Sequence, residues 1–183
     1  MNLTGQIIVS MPSLEDERFY KTVIYICAHS SEGSMGIIIN KKIDYDLYPD
    51  LLQQLGIDKP LNNKKLFIRY GGPVESGRGF VLHSDDMVRK ETLNIDKGVA
   101  LTSTAEFFDD LSKGKGPKNC ILALGYAGWQ PGQLESEIMR NSWMSLSVDN
   151  SFLFDDEVSR KWSQAYKLIG IDPNSLSFES GQA

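Results

Sequence analysis

Cys27, His29, His83 and Cys120 are the only cysteines and histidines in the chain, so they bound the thiol, imidazole and soft-metal chemistry it can carry. Cys27 and His29 stand two apart in KTVIYICAHS. On an extended strand, residues i and i+2 share a face about 6.6 Å apart, and the spacing predicts a thiol beside an imidazole. A base next to a thiol makes a nucleophile, and the same pair can begin a metal site. With His83 and Cys120 the chain holds two thiols and two imidazoles, the count of a tetrahedral zinc site. Against this stands a plainer alternative: a cysteine in an apolar strand behaves as a small hydrophobe. Both cysteines fall in apolar segments, so we assign no catalytic residue, no metal and no cofactor.

Other chemistries find less support. Gly71-Gly72-Pro73-Val74 and Gly77-Arg78-Gly79 could present backbone amides to an anion, but neither fits GxGxxG. Lys113-Gly114-Lys115-Gly116 lacks the GxxxxGK[ST] pattern of a phosphate loop. No GxSxG occurs, because Glu32 stands where the leading glycine before Ser34 is required. Glu135 and Glu137 are two apart on a predicted helix and face different ways. Gln133, Glu137 and Asn141 follow i, i+4, i+8 on that helix, while Leu134 and Ile138 form its apolar stripe. Such a polar stripe lines a cleft or an interface, or is simply solvated. The candidate binding surface is His29, Asn40, Gly71, Gly72, Pro73, Gly125, Gly128, Trp129, Gln133 and Glu137.

The elements that must position these residues follow from periodicity. Strands are predicted at Gly5–Met11 and Lys21–Ala28, the second buried on both faces. SSEGS supplies a turn into a hairpin partner at Met35–Asn40. Leu51, Leu52 and Leu55 share one face of a helix over 46–56, with Pro49 in its first turn and Gly56 at its stop. Further strands are expected at Leu66–Tyr70 and Arg78–His83, around the turn-rich GGPVESG. A short strand at Val99–Leu101 precedes Ser103-Thr104-Ala105-Glu106, which has the spacing of a capping box. Phe107, Phe108 and Leu111 point that helix inward until KGKGPKN breaks it. Cys120–Tyr126 reads as a buried strand, and GYAGWQPG (125–132) is the densest turn cluster. A helix from Gln133 to about Arg140, a strand near Trp143–Val148 and a last helix from about Asp155 complete the chain. Gly170 and Pro173 close that helix, and the tail from about 171 is expected to fray.

The 183 residues are expected to form a single α+β domain around one mixed sheet, since no internal repeat or long linker occurs and βαβ order is absent. A composition of 41% hydrophobic and 23% charged residues suits a globule with a real core. The N-terminus lacks a basic segment and an apolar run of signal length, no window reaches membrane-span length, and two cysteines in no CxxC pattern suit a reducing compartment. A cytosolic protein is expected, with no membrane partner. The net charge of −5 disfavours polyanions. Basic clusters at Lys64, Lys65, Arg69 and at Lys113, Lys115, Lys118 accompany no nucleic-acid-binding motif, so direct nucleic-acid binding is not expected.

Several segments occur together in order: GQIIVSMP, FYKTVIYICAHSSEGSMGIIINK, GGPV, VLHS, LGYAGWQPGQLESEI, Asn141-Ser142-Trp143 and the Trp162 helix. From about Leu3 to Gly170 the chain resembles the bacterial AlgH/YqgE proteins. It departs at Ala28, where relatives often carry an acidic residue. The resemblance implies a compact α+β fold, a mixed sheet with flanking helices and a smaller subdomain, and no established activity or cofactor. Members are labelled uncharacterised or transcriptional regulators, the latter from a link to alginate regulation. A non-enzymatic regulatory or interaction protein with a protein partner is therefore expected. The alternative is a small-molecule or anion binder with weak hydrolytic or thiol chemistry.

Overall fold

Runs of β-branched and aromatic residues prefer pleated, half-buried surfaces, and strands make up most of this chain's regular structure among the described residues. In the computed structural model, which describes residues 2–43 and 68–176, nine strands join in one sheet. They are β1 (Ile7–Ser10), β2 (Val23–Ser30), β3 (Gly33–Ile38), β4 (Ile68–Tyr70), β5 (Val74–Ser84), β6 (Leu93–Asp96), β7 (Val99–Thr102), β8 (Cys120–Trp129) and β9 (Trp143–Leu146). The order is β6-β7-β5-β8-β3-β2-β1-β9, with β4 pairing β8 in parallel and every other pair antiparallel. The helices are α1 (Ala105–Ser112), α2 (Gln133–Met139), α3 (Asn150–Phe154) and α4 (Lys161–Leu168). The expected α+β class and mixed sheet hold. No helix among the described residues is long and apolar enough to cross a membrane.

The sheet is covered on both faces. On one, Ile7, Val9, Val23, Tyr25, Cys27 and Ile37 pack with Leu153 of α3 and Trp162, Ala165 and Tyr166 of α4. On the other, Ile8, Ile24, Ile26 and Ile38 pack with Leu134 of α2, Trp129 and Trp143. A further cluster places Phe107, Phe108 and Leu111 of α1 on Val81, Leu122 and Leu124. Trp162 Nε1 and Tyr166 Oη both donate to the carbonyl of Ser10, which ties α4 to β1.

Several local expectations need correction. β6 has no apolar run to announce it, because it is a mostly exposed edge strand. The last helix begins at Lys161, and a separate short helix, α3, precedes it under an Asp149 cap that accepts from the Phe152 amide. The capping box does not form: Thr104 caps α1 without a side-chain bond, and the Ser103 hydroxyl accepts from Arg78 instead. Most consequentially, GYAGW is strand, with only residues 130–132 turning into α2. The predicted helix over 46–56, the Lys64–Lys65 cluster and the segment from 177 lie outside the described residues.

Candidate functional site

Two interruptions of strict alternation build the site, one on each side of β3. In β2 the register with β3 shifts between Ile26 and Ala28, so Cys27 is an inserted residue. An inserted residue reverses the face on which the following side chains emerge. Cys27 therefore stays in the core with Tyr25, while His29 turns to the opposite face and meets α2. In β8 the second interruption falls at Gly125, whose φ is +69°. Ile121 and Ala123 face the α4 side, and after Gly125 it is Tyr126 that faces that way, edge-on to Phe80. Ala127 and Trp129 are thereby delivered to the α2 side.

Gly125 has a second duty. The chain from β4 to β5 crosses β8 there, and a methyl group on Gly125 would sit 2.4 Å from the Gly72 carbonyl oxygen. A methyl on Gly72 would sit 2.1 Å from the Tyr126 carbonyl carbon. Gly71, Gly72 and Gly125 are thus the contact surfaces of a backbone crossing, and the Gly71 amide is taken by the Leu124 carbonyl at 2.7 Å. Asn40 is also structural: its Oδ1 accepts from the Val23 amide at 2.8 Å and its Nδ2 donates to the Lys21 carbonyl at 2.8 Å.

Across β2, β3 and β8, His29, Ser34 and Trp129 stand in one row, since Ser34 pairs with both. Helix α2 lies over this row. Its Glu135 Oε1 lies 3.1 Å from His29 Nε2, and Glu137 reaches Trp129. The Leu3 amide donates to His29 Nδ1 at 3.3 Å. A backbone amide only donates, so Nδ1 is the acceptor and Nε2 carries the proton toward Glu135. With both ring nitrogens taken, none is left to deprotonate Ser34 or Cys27. The Cys27 thiol is buried, which pushes its pKa well up, and it faces away from His29. The thiol–imidazole pair expected from the i, i+2 spacing does not exist.

Cys120 and His83 are cross-strand partners on β8 and β5. His83 is fully buried, with Nδ1 donating to the Ser84 carbonyl at 2.8 Å and Nε2 accepting from the Thr102 hydroxyl at 2.9 Å. Burial pushes its pKa down. Among the described residues no three His, Cys, Asp or Glu side chains converge as a metal site would need, and neither cysteine is in a disulfide.

The residues that do converge belong to α2 and its surroundings. Glu137 Oε2 accepts from both Trp129 Nε1 at 2.9 Å and Trp143 Nε1 at 2.8 Å, while its Oε1 accepts from Gln133 Nε2 at 2.8 Å. Gln133 Oε1 also accepts from the Gln130 amide, fixing the first turn of α2 to the loop before it. The helix ends in a Schellman motif: the Ser142 amide donates to the Glu137 carbonyl and the Asn141 amide to that of Ile138, with Asn141 at φ +56°. Asn141 thus closes the helix instead of extending its polar stripe.

Beside this carboxylate lies a groove of about 360 Å³. Pro73, Gly128, Trp129, Gln133 and Glu137 line it, as the sequence expectation placed them on one surface. Gly71, Gly72, Gly125, Asn40 and His29 do not line it. Val74 of the GGPV turn lines it too, and its remaining wall comes from residues not expected at a site: Leu14, Asp16, Arg18, Phe19, Ser142 and Trp143. Asp16 and Arg18 form a bidentate pair, with Nε 3.0 Å from Oδ1 and Nη2 2.7 Å from Oδ2. That pairing holds the Asp16 carboxyl below the usual range and raises Arg18. Phe19 meets Trp143 edge to face at 5.5 Å. The only signals in the sequence for this wall were the FYKTV and Asn-Ser-Trp segments, which carried a resemblance without a role.

A family model described as AlgH-like matches residues 7–174. A UPF0301 protein of Rhodopseudomonas palustris strain BisB18 is 50% identical over 189 aligned residues, covering 99% of this chain and 89% of its own. A UPF0301 protein of Bradyrhizobium diazoefficiens is 48% identical, covering 99% and 88%. The solution structure of the AlgH protein from Pseudomonas aeruginosa matches with a TM-score of 0.79 at 32% identity, over 100% of this chain and 97% of that one. A crystal structure from Corynebacterium diphtheriae shares the fold, with a TM-score of 0.69 at 20% identity over 92% and 87% of the two chains.

Proposed function

This chain belongs to the AlgH-like family, and from that premise we propose that it is a non-enzymatic binding protein whose partner engages the groove beside Trp129 and Glu137. The observation that supports this is the state of the Glu137 carboxylate. Three neutral donors hold it in place. A general acid or base must reach the reacting atom with a proton or lone pair to exchange. A carboxylate engaged on both oxygens serves instead to fix two indoles as a preformed wall. Preformed aromatic walls with a few oriented polar groups are what recognition sites use.

The partner is another protein, met in the cytosol, and any influence on transcription runs through it rather than through contact with DNA. A chain of net charge −5 repels phosphate backbones. The test is affinity capture with wild type, Gln133→Ala and Trp129→Phe proteins side by side. The reading predicts that the same partner is lost from both variants while their melting curves remain cooperative. An unchanged set of captured proteins contradicts it.

A second reading, a small-molecule binder, is favoured by the cavity itself, since about 360 Å³ lies within the usual range for ligand pockets. A ligand that binds only the native state raises the melting temperature. Thermal-shift screening therefore tests this reading, and the absence of any shift at saturating concentrations counts against it.

A further inference from the structure

We propose that the groove is a cation site, taking the ammonium or guanidinium end of an organic amine against Trp129, Trp143 and Glu137; this rests on the groove being the binding site. Three charged side chains line it: Asp16, Arg18 and Glu137. Asp16 and Arg18 close on each other in a bidentate pair and sum to zero. Glu137 is different. Its three partners are two indoles and an amide, all neutral, so its negative charge is solvated but not compensated. Among the described residues no Lys, Arg or His lies within ion-pair distance of it.

The walls favour the same sign. Phe19, Trp129 and Trp143 line the groove with Glu137; the two indoles turn their N–H edges to the carboxylate, and an aromatic face open to the groove attracts a cation. The protein's own Arg18 already shows this, its guanidinium lying 5.6 Å from the Phe19 ring centroid. Leu14, Pro73 and Val74 supply apolar surface for the hydrocarbon body of such a ligand. An anion entering the groove meets an uncompensated carboxylate and an arginine already engaged by Asp16. The electrostatics therefore select an amine over an acid, which separates this proposal from an anion-binding site.

Three probes of one size and three charges test it: benzylammonium, benzyl alcohol and benzoate, titrated into the full chain while the indole N–H signals of Trp129 and Trp143 are followed by NMR. The expected order is benzylammonium tightest, with at least about a tenfold preference over benzoate (about 1.4 kcal/mol). Glu137→Gln removes that preference. Arg18→Gln, at an exposed position that leaves folding intact, frees Asp16 and strengthens benzylammonium binding about two- to fivefold. Benzoate binding as tightly as benzylammonium overturns the cation assignment while leaving the groove a binding site. Failure of every millimolar probe to move either indole also overturns it, and partner capture then judges the groove separately. Weaker benzylammonium binding by Arg18→Gln overturns it too. Acetyl-Gly-Lys-Gly-amide against its norleucine analogue identifies the source: preference for the lysine peptide assigns a protein side chain, and preference for free butylammonium assigns a small amine.

Discussion

Trp129 and Trp143, 14 residues apart in sequence on strands β8 and β9, meet edge to face at 6.2 Å and point their indole N–H groups at one oxygen of Glu137. Both rings are buried. Hydrogen bonds to a charged acceptor contribute about 1.5–3 kcal/mol each, and buried donors left without one cost about as much. The pair and its shared carboxylate hold α2 to the sheet and give the groove its shape.

Removing the carboxylate should therefore cost stability as well as binding. Glu137→Ala leaves two indole donors without a partner and is expected to lose about 2–4 kcal/mol in urea unfolding. Glu137→Gln keeps the shape and one acceptor oxygen and should lose less, about 1–2 kcal/mol. Equal losses for the two variants, or unshifted indole signals in Glu137→Ala, would contradict the shared bond.

His29 fastens the N-terminal segment, since its Nδ1 accepts from the amide of buried Leu3. His29→Ala is expected to lose about 1–2 kcal/mol and to speed hydrogen exchange at the Leu3 amide. The exchange rate decides the matter, because a purely packing role for His29 leaves that amide as protected as its neighbours.

Gly125 and Gly132 offer a matched comparison, both having positive φ, at +69° and +75°. A side chain on Gly132 meets nothing within 4 Å, whereas one on Gly125 meets the Gly72 carbonyl oxygen at 2.4 Å. Gly132→Ala should cost about 1–2 kcal/mol, the left-handed penalty alone. Gly125→Ala should exceed this by about 2 kcal/mol or fail to fold. Comparable melting temperatures would refute the backbone crossing.

Lys161 gives a pH dependence on the opposite side of the sheet. It is fully buried, its Nζ donating to the Phe152 and Leu153 carbonyls. Burial first, and the nearby Arg69 charge second, lower it from 10.5 to about 8. The unfolded chain then holds the proton more tightly, so stability from this residue is lowest below pH 8 and rises from about 8 toward 10.5. Relative to Lys161→Met, the wild type should gain up to about 3 kcal/mol across that window. A difference that stays constant from pH 7 to 10 in urea melts removes Lys161 as the titrating group.

The apolar strands were legible because burial on both faces leaves continuous runs such as VIYIC, and α1 and α2 were legible from their apolar stripes. The site was half legible. Trp129, Gln133 and Glu137 lie in one dense motif, and local density survives whatever the register does. What period-two reasoning cannot see is a bulge. An inserted Cys27 sends His29 away from the thiol it was expected to join, and a left-handed Gly125 carries a strand through residues that resemble a turn. The crossing explains why GGPV is glycine-rich. Arg18 and Phe19 escaped notice because a single helical turn leaves no periodicity to read.

The groove as the binding surface is tested most directly by photocrosslinking in living cells. A benzophenone amino acid placed at Val74, exposed on the groove wall, is compared with one at exposed Met139, the last residue of α2. The account predicts a discrete adduct from position 74, absent from position 139 and lost when Gln133→Ala is added. An adduct of the same partner from position 139 alone, or one from position 74 that survives Gln133→Ala and Trp129→Phe, would contradict it.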